Sequence, residues 1–165
     1  MPRYRIDSST TVFDLSFRPP LPGFGFRIGP VTGEVEATFV DGAPDLGAPL
    51  EGEFSAVVDQ LLLGPRVVER TVRRVIGHHG EIRTKGRVTA CRAHSERGYE
   101  LDLELGMPWG RYTLPSRGEV TMTGERHIRV SGRTEVHPRH VGVPIPRVLP
   151  VPVTIANYDL VLTPW

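Results

Sequence analysis

YELDLELGM, residues 99–107, places Leu101, Leu103 and Leu105 on alternate positions, with Glu100, Asp102 and Glu104 between them. A period of two puts the leucines on one face of a strand and the acids on the other. GEVEATFV, residues 33–40, repeats the rhythm: Val35, Ala37 and Phe39 alternate with Glu34, Glu36 and Thr38. A sheet of such strands is wet on one side and apolar on the other. What the apolar sides face decides the fold.

Working outward, strand signals dominate. YRID (4–7) and TVFDLSFR (11–18) come first, and Phe13, Leu15 and Phe17 share a face. RPPLPGFG (18–25) is too rich in proline and glycine for a central strand. EGEFSAVVDQLLL (51–63) opens with Phe54, Ala56 and Val58 in alternation. EIRTKGRVTACRA (81–93) sets Ile82, Val88 and Ala90 against Arg83, Lys85 and Arg87. HSERG (94–98) reads as a hairpin turn, and PWG (108–110) bends the chain. RYTL (111–114), RGEVTMTG (117–124), RHIRVSGRTEV (126–136) and VPVTIANYDLVLTP (151–164) complete the strands. HPRHVGVPIPRVLP (137–150) is a proline-rich connection with no room for a regular element.

One segment breaks the rhythm. In PRVVERTVRRVIG (65–77), Val67, Val68, Val72, Val75 and Ile76 fall at the intervals of one helical face. Pro65 suits a helix start and Gly77 its end, with Arg73 and Arg74 in the last turn. The expectation is one short helix flanking or plugging a sheet. A basic amphipathic helix lying on a membrane is the alternative.

The chain has 165 residues, enough for one domain with a real core, here 1–165. Its 20 basic and 19 acidic residues leave a formal charge of +1, which argues against nucleic acid as a partner. Cys91 is the only cysteine, so no disulfide can form within the chain. Cys91 and His94 supply two ligands where structural zinc needs four. Arg3, Arg5, Asp7 and Asp14 interrupt any signal-like apolar run, and no stretch has the length of a membrane-spanning helix. The expected compartment is the cytoplasm.

Turn signals recur about every ten residues, and the strands number about eight, as in a sandwich or barrel. The reading is an all-β fold: an extended antiparallel β-barrel, lipocalin-like, with one short helix. The inward residues would be Phe13, Leu15, Phe17, Val35, Ala37, Phe39, Phe54, Ala56, Val58, Leu101, Leu103, Leu105, Val120, Met122, Ile128 and Val130. Small Ala and Val recur among them, so the lining encloses space less completely than Leu and Phe throughout would. Periodicity leaves a filled core and a ligand cavity both open.

Order and spacing along most of the chain resemble the YceI-like family of lipid-binding barrels. The pattern opens with Tyr4-Arg5-Ile6-Asp7, a polar turn and an alternating strand. It continues with Gly33 leading the strand to Phe39, then Gly118-Glu119-Val120-Thr121-Met122-Thr123-Gly124 and a following strand. It closes with the loop RHVGVPIP (139–146) and a final apolar strand. The middle departs: the short RVVERTVRRVIG stands where the family carries a longer polar helical stretch. The resemblance implies a tunnel for a polyisoprenoid or other long-chain lipid, no cofactor and a homodimer. A prenyl chain has no polar groups to satisfy, and each buried carbon contributes about 0.8 kcal/mol. A head group would sit at a mouth, for which Trp109, Arg111 and Tyr112 are the candidates.

Two other classes stay open. A metal-dependent or acid–base enzyme would draw on His78, His79, His127, His137 and His140. None of the G-x-S-x-G, H-E-x-x-H or C-x-x-C motifs is present. A membrane-surface or partner-binding module would use Arg66, Arg70, Arg73 and Arg74.

Overall fold

The computed structural model describes residues 1–18, 24–63, 66, 70, 74, 82–124, 127–142, 147–148 and 153–165. Side chains of 15, 17, 24–27 and 59–63 lie outside that description. The strands are β1 (Arg3–Ile6), β2 (Val12–Arg18), β3 (Phe24–Ile28), β4 (Thr32–Glu36), β5 (Phe39–Val40) and β6 (Ala43–Pro44). They continue as β7 (Glu51–Leu63), β8 (Ile82–Ala93), β9 (Gly98–Met107), β10 (Gly110–Thr123), β11 (His127–Val136) and β12 (Val153–Pro164).

These elements close into an antiparallel barrel of eight strands. Two of the eight are broken. β1 and β2 both pair with β12, β1 at its residues 162–164 and β2 at 153–159. The break between them is a turn organised by Asp7. Its carboxylate accepts the Ser9 N–H at 3.0 Å and the Ser9 hydroxyl at 2.6 Å, while its carbonyl accepts the Thr11 hydroxyl at 2.7 Å. The donated bonds hold the Asp7 carboxyl below the usual carboxylate range. β3 and β4 likewise both pair with β7, and Gly29-Pro30-Val31 arches between them. β1 pairs with β4, which closes the ring at one end. At the other end, among the described residues, no ladder joins β2 to β3.

Three expectations change. GEVEATFV divides: the barrel strand stops at Glu36, and Phe39 and Val40 open the small β5–β6 hairpin. The turn there takes Asp41 at φ 50° and Gly42 at φ 83°. RYTL and RGEVTMTG merge into β10, which runs unbroken through Pro115. Pro115 is tolerated because the β10–β11 ladder begins only at Arg117, so no donor is missed on that side. The proline-rich connection holds a 3₁₀ turn, Pro138–Val141, which ends on Gly142 at φ 73°.

The solid core sits at the closed end, where Ile6, Ile128 and Leu162 stand on adjacent strands and are all buried. Tyr4 and Phe39 meet edge to face beside them, with ring centroids 5.4 Å apart. The outer face carries cross-strand ion pairs. Arg87 meets Glu104, Arg92 meets Asp102, Arg117 meets Glu100 and Arg129 meets Asp159. Among the described residues no helix is long and apolar enough to cross a membrane. Arg66, Arg70 and Arg74 are helical and exposed; Arg73 and the other positions of the expected helix lie outside the described residues.

Candidate functional site

The barrel is not filled. A cavity of about 330 Å³ runs inside it, bordered almost wholly by apolar atoms. It begins at Trp109, Pro138 and Val141 and reaches Phe39, Pro44 and Leu50 at the opposite end. β12 borders it from Thr154 to Leu162. Eight residue steps of strand, tilted as in a barrel, give a length of about 20 Å.

Alternation builds this lining strand by strand. Phe13, Val35, Phe39, Phe54, Ala56, Val58, Leu101, Leu103, Leu105, Val120 and Val130 border the cavity. Leu15 and Phe17 fall on the same parity of β2, but their side chains lie outside the described set. Ala37 and Ile128 are each 1% exposed and do not border the cavity. Ala37 follows the end of β4, and Ile128 is spent on the closed-end core. Met122 is a correction of a different kind: it is 45% exposed and lies against Gly42 of the small hairpin.

The three mouth candidates separate. Trp109 borders the cavity and its indole N–H donates to the Val141 carbonyl at 2.7 Å, which ties the β9–β10 hairpin to the 3₁₀ turn. Tyr112 does not border the cavity; its ring covers Gly110 and Gly142, where a side chain would collide with its hydroxyl. Arg111, on the opposite parity of β10, is exposed and takes no part in the lining.

Cys91 was the residue that alternation misplaced. A bulge between Val88 and Ala90 inserts one residue into β8 and reverses the parity beyond it. Cys91 therefore opposes Leu101 and borders the cavity, and Ala90 does not. Burial pushes the Cys91 thiol pKa up, so it stays neutral. No Arg, Lys or His borders the cavity among the described residues. Glu53 touches its rim from the outward parity of β7 and is exposed.

Sequence reasoning also missed a polar group inside. Tyr158 lies across Gly118 and Gly132, where any side chain would run into its ring or hydroxyl. Its hydroxyl is 2.6 Å from the Ser116 hydroxyl, and Thr134 donates to Ser116 at 2.7 Å. Burial pushes the Tyr158 phenol up, against the lowering effect of the Ser116 bond. The inward Gly118, Gly132, Ser116 and Thr134 were the available signal: small or polar residues at positions where the period demands an apolar one.

His137 and His140 stack at the 3₁₀ turn, with ring centroids 5.0 Å apart. His78 and His79 lie outside the described residues. Among the described residues no three His, Cys, Asp or Glu side chains converge as metal ligands would.

No family model matches the chain. No curated protein matches it either. Among solved structures it is similar to BcnA of Burkholderia cenocepacia, at a TM-score of 0.59 and 11% identity, over 94% of this chain and 98% of that one. At that identity the likeness is one of fold alone: a closed antiparallel barrel of eight strands.

Proposed function

We propose that the chain binds a long-chain lipid, an isoprenoid in the first place, along the barrel interior, and acts without catalysis as a carrier or store. The observation that carries this reading is the cavity itself: apolar, elongated and bordered by the inward parity of nearly every strand. Its volume lies at the lower end of the range for ligand sites. A hydrocarbon chain asks for no hydrogen bonds, which suits walls that offer few. Organic extraction of protein purified from its native source, followed by mass spectrometry, is expected to release a long-chain lipid in near-stoichiometric amount. Ala56→Trp, which fills the tunnel from one wall, should abolish its recovery. An extract free of lipid, together with no uptake of added polyprenol, would sink the reading.

Arg66, Arg70 and Arg74 favour a peripheral membrane contact as the route by which lipid arrives. They are exposed, helical and four residues apart. Flotation with anionic vesicles should fall sharply when all three become Gln, and unchanged flotation would remove this contact from the reading.

A further inference from the structure

Four hydroxyl residues stand together on one wall of a largely apolar tunnel. Ser116 on β10 opposes Thr134 on β11, one register step before the Arg117–Arg133 pair. Thr134 opposes Ala156 on β12, and Thr154 lies one diagonal step further along. Tyr158 reaches back over Gly132 to Ser116. Ser116, Thr134 and Thr154 are 2%, 6% and 4% exposed. Thr134, Thr154 and Tyr158 border the cavity.

Their hydrogen bonds do not close. Thr134 donates to Ser116. The single Ser116 proton goes either to the Arg133 carbonyl at 3.3 Å or to Tyr158 at 2.6 Å. In the first case Tyr158 donates to Ser116 and keeps unused lone pairs. In the second its own proton has no acceptor among the described residues. Among the described residues Thr154 has no partner, although its hydroxyl oxygen is buried. A buried hydroxyl without a partner costs about 1–3 kcal/mol, and such groups are rare in folded proteins. Valine would fill the same space without that cost.

We infer that Thr154, Tyr158 and the Ser116–Thr134 pair form a subsite for a neutral oxygen of the bound lipid, a hydroxyl or a carbonyl, held inside the tunnel. The inference rests on the lipid-binding reading above. The oxygen must be neutral, because among the described residues no cationic side chain borders the cavity to offset a desolvated phosphate or carboxylate. The subsite also sets the ligand's register, since apolar walls alone let a chain slide.

The test is displacement of the apolar dye N-phenylnaphthylamine by farnesol, farnesene and farnesyl diphosphate. Farnesol should displace the dye at about a tenth of the farnesene concentration, as one or two hydrogen bonds predict. The diphosphate should be weaker than farnesol. Tyr158→Phe and Thr154→Val should each narrow the gap between farnesol and farnesene, and the double variant should erase it while farnesene stays unchanged. Equal displacement by farnesol and farnesene in the natural chain overturns the subsite alone. A gap that survives both substitutions, or a diphosphate tighter than farnesol, also overturns it. Displacement by none of the three overturns the lipid-binding reading with it. If the double variant loses farnesene as well, Thr154→Val alone decides: a narrowed gap supports the subsite, and an unchanged gap ends it.

Discussion

The two walls of the barrel are built from one alternation rule and do opposite things with it. On β8 and β9 the inward positions carry Ile82, Val88, Leu101, Leu103 and Leu105, and the wall is mostly greasy; its one threonine, Thr84, spends its hydroxyl on the Gly106 carbonyl. On β10, β11 and β12 the same parity carries Ser116, Gly118, Gly132, Thr134, Thr154 and Tyr158. The first wall supplies transfer free energy, which depends on area and not on position. The second supplies directional bonds, which depend on position. A barrel with two walls of the first kind would hold any chain of the right girth. On the proposed reading, one wall of the second kind would make it selective.

The largest expected effect tests how tightly each wall is built. Gly132→Val should destabilise the fold by about 3 kcal/mol, because its Cβ would meet both the Tyr158 ring and the Arg117 carbonyl. Gly86→Ala, on the greasy side, would first meet the Phe54 ring, which borders the cavity and can swing into it, so it should cost under about 1 kcal/mol. Urea denaturation of both variants measures the difference, and equal costs would remove the contrast.

Next in size is Leu103→Ala. Leu103 is half-buried and faces open space, so truncation should cost about 1–2 kcal/mol, below the range for a packed leucine. A larger loss would mean that the greasy wall is packed as a solid core.

Thr154→Val should run the other way. Without ligand it should stabilise the protein by about 1 kcal/mol, since it removes a buried hydroxyl that has no partner. A raised Tm in the lipid-free protein, beside weakened farnesol binding, would be the mark of a residue kept for its ligand.

The smallest effect concerns the outside, where the walls are alike. Arg92 holds Asp102 and Arg129 holds Asp159, and each bond lowers the carboxyl pKa in the folded state. A lowered folded pKa means that the stabilisation is present above the unfolded value of about 4 and is lost as pH falls through the folded one. Both pairs are largely exposed, so the effect is small and weakened by salt. Asp102→Asn and Asp159→Asn should each flatten the acid limb of stability against pH, and by similar amounts. An unequal response would show that the walls differ outside as well as in.

The greasy wall was legible in the sequence and the hydroxyl wall was not, for a physical reason. Leu101, Leu103 and Leu105 announce a buried face because period and chemistry agree. Ser116, Thr134 and Thr154 sit on the buried parity with outward-type chemistry, so a reading by polarity passes over them. Cys91 was missed because one inserted residue changes the sign of all that follows it. Ile128 and Met122 obey the period, yet one closes the end of the barrel and the other lies beyond it. Alternation reports the face of a strand and is silent on depth along the axis.

β12 pairs with β11, β1 and β2 at once, so it is the seam on which the cylinder is sewn. Until the ribosome has delivered it, the earlier strands can form only an open, curled sheet whose leucines face water or a chaperone. Zipping residues 4–6 to 162–164 spans nearly the whole chain, which makes the final step slow and exposes that sheet for longest. A lipid that meets the unzipped sheet would find the groove before it becomes a tunnel, and could be wrapped during folding as readily as threaded afterwards.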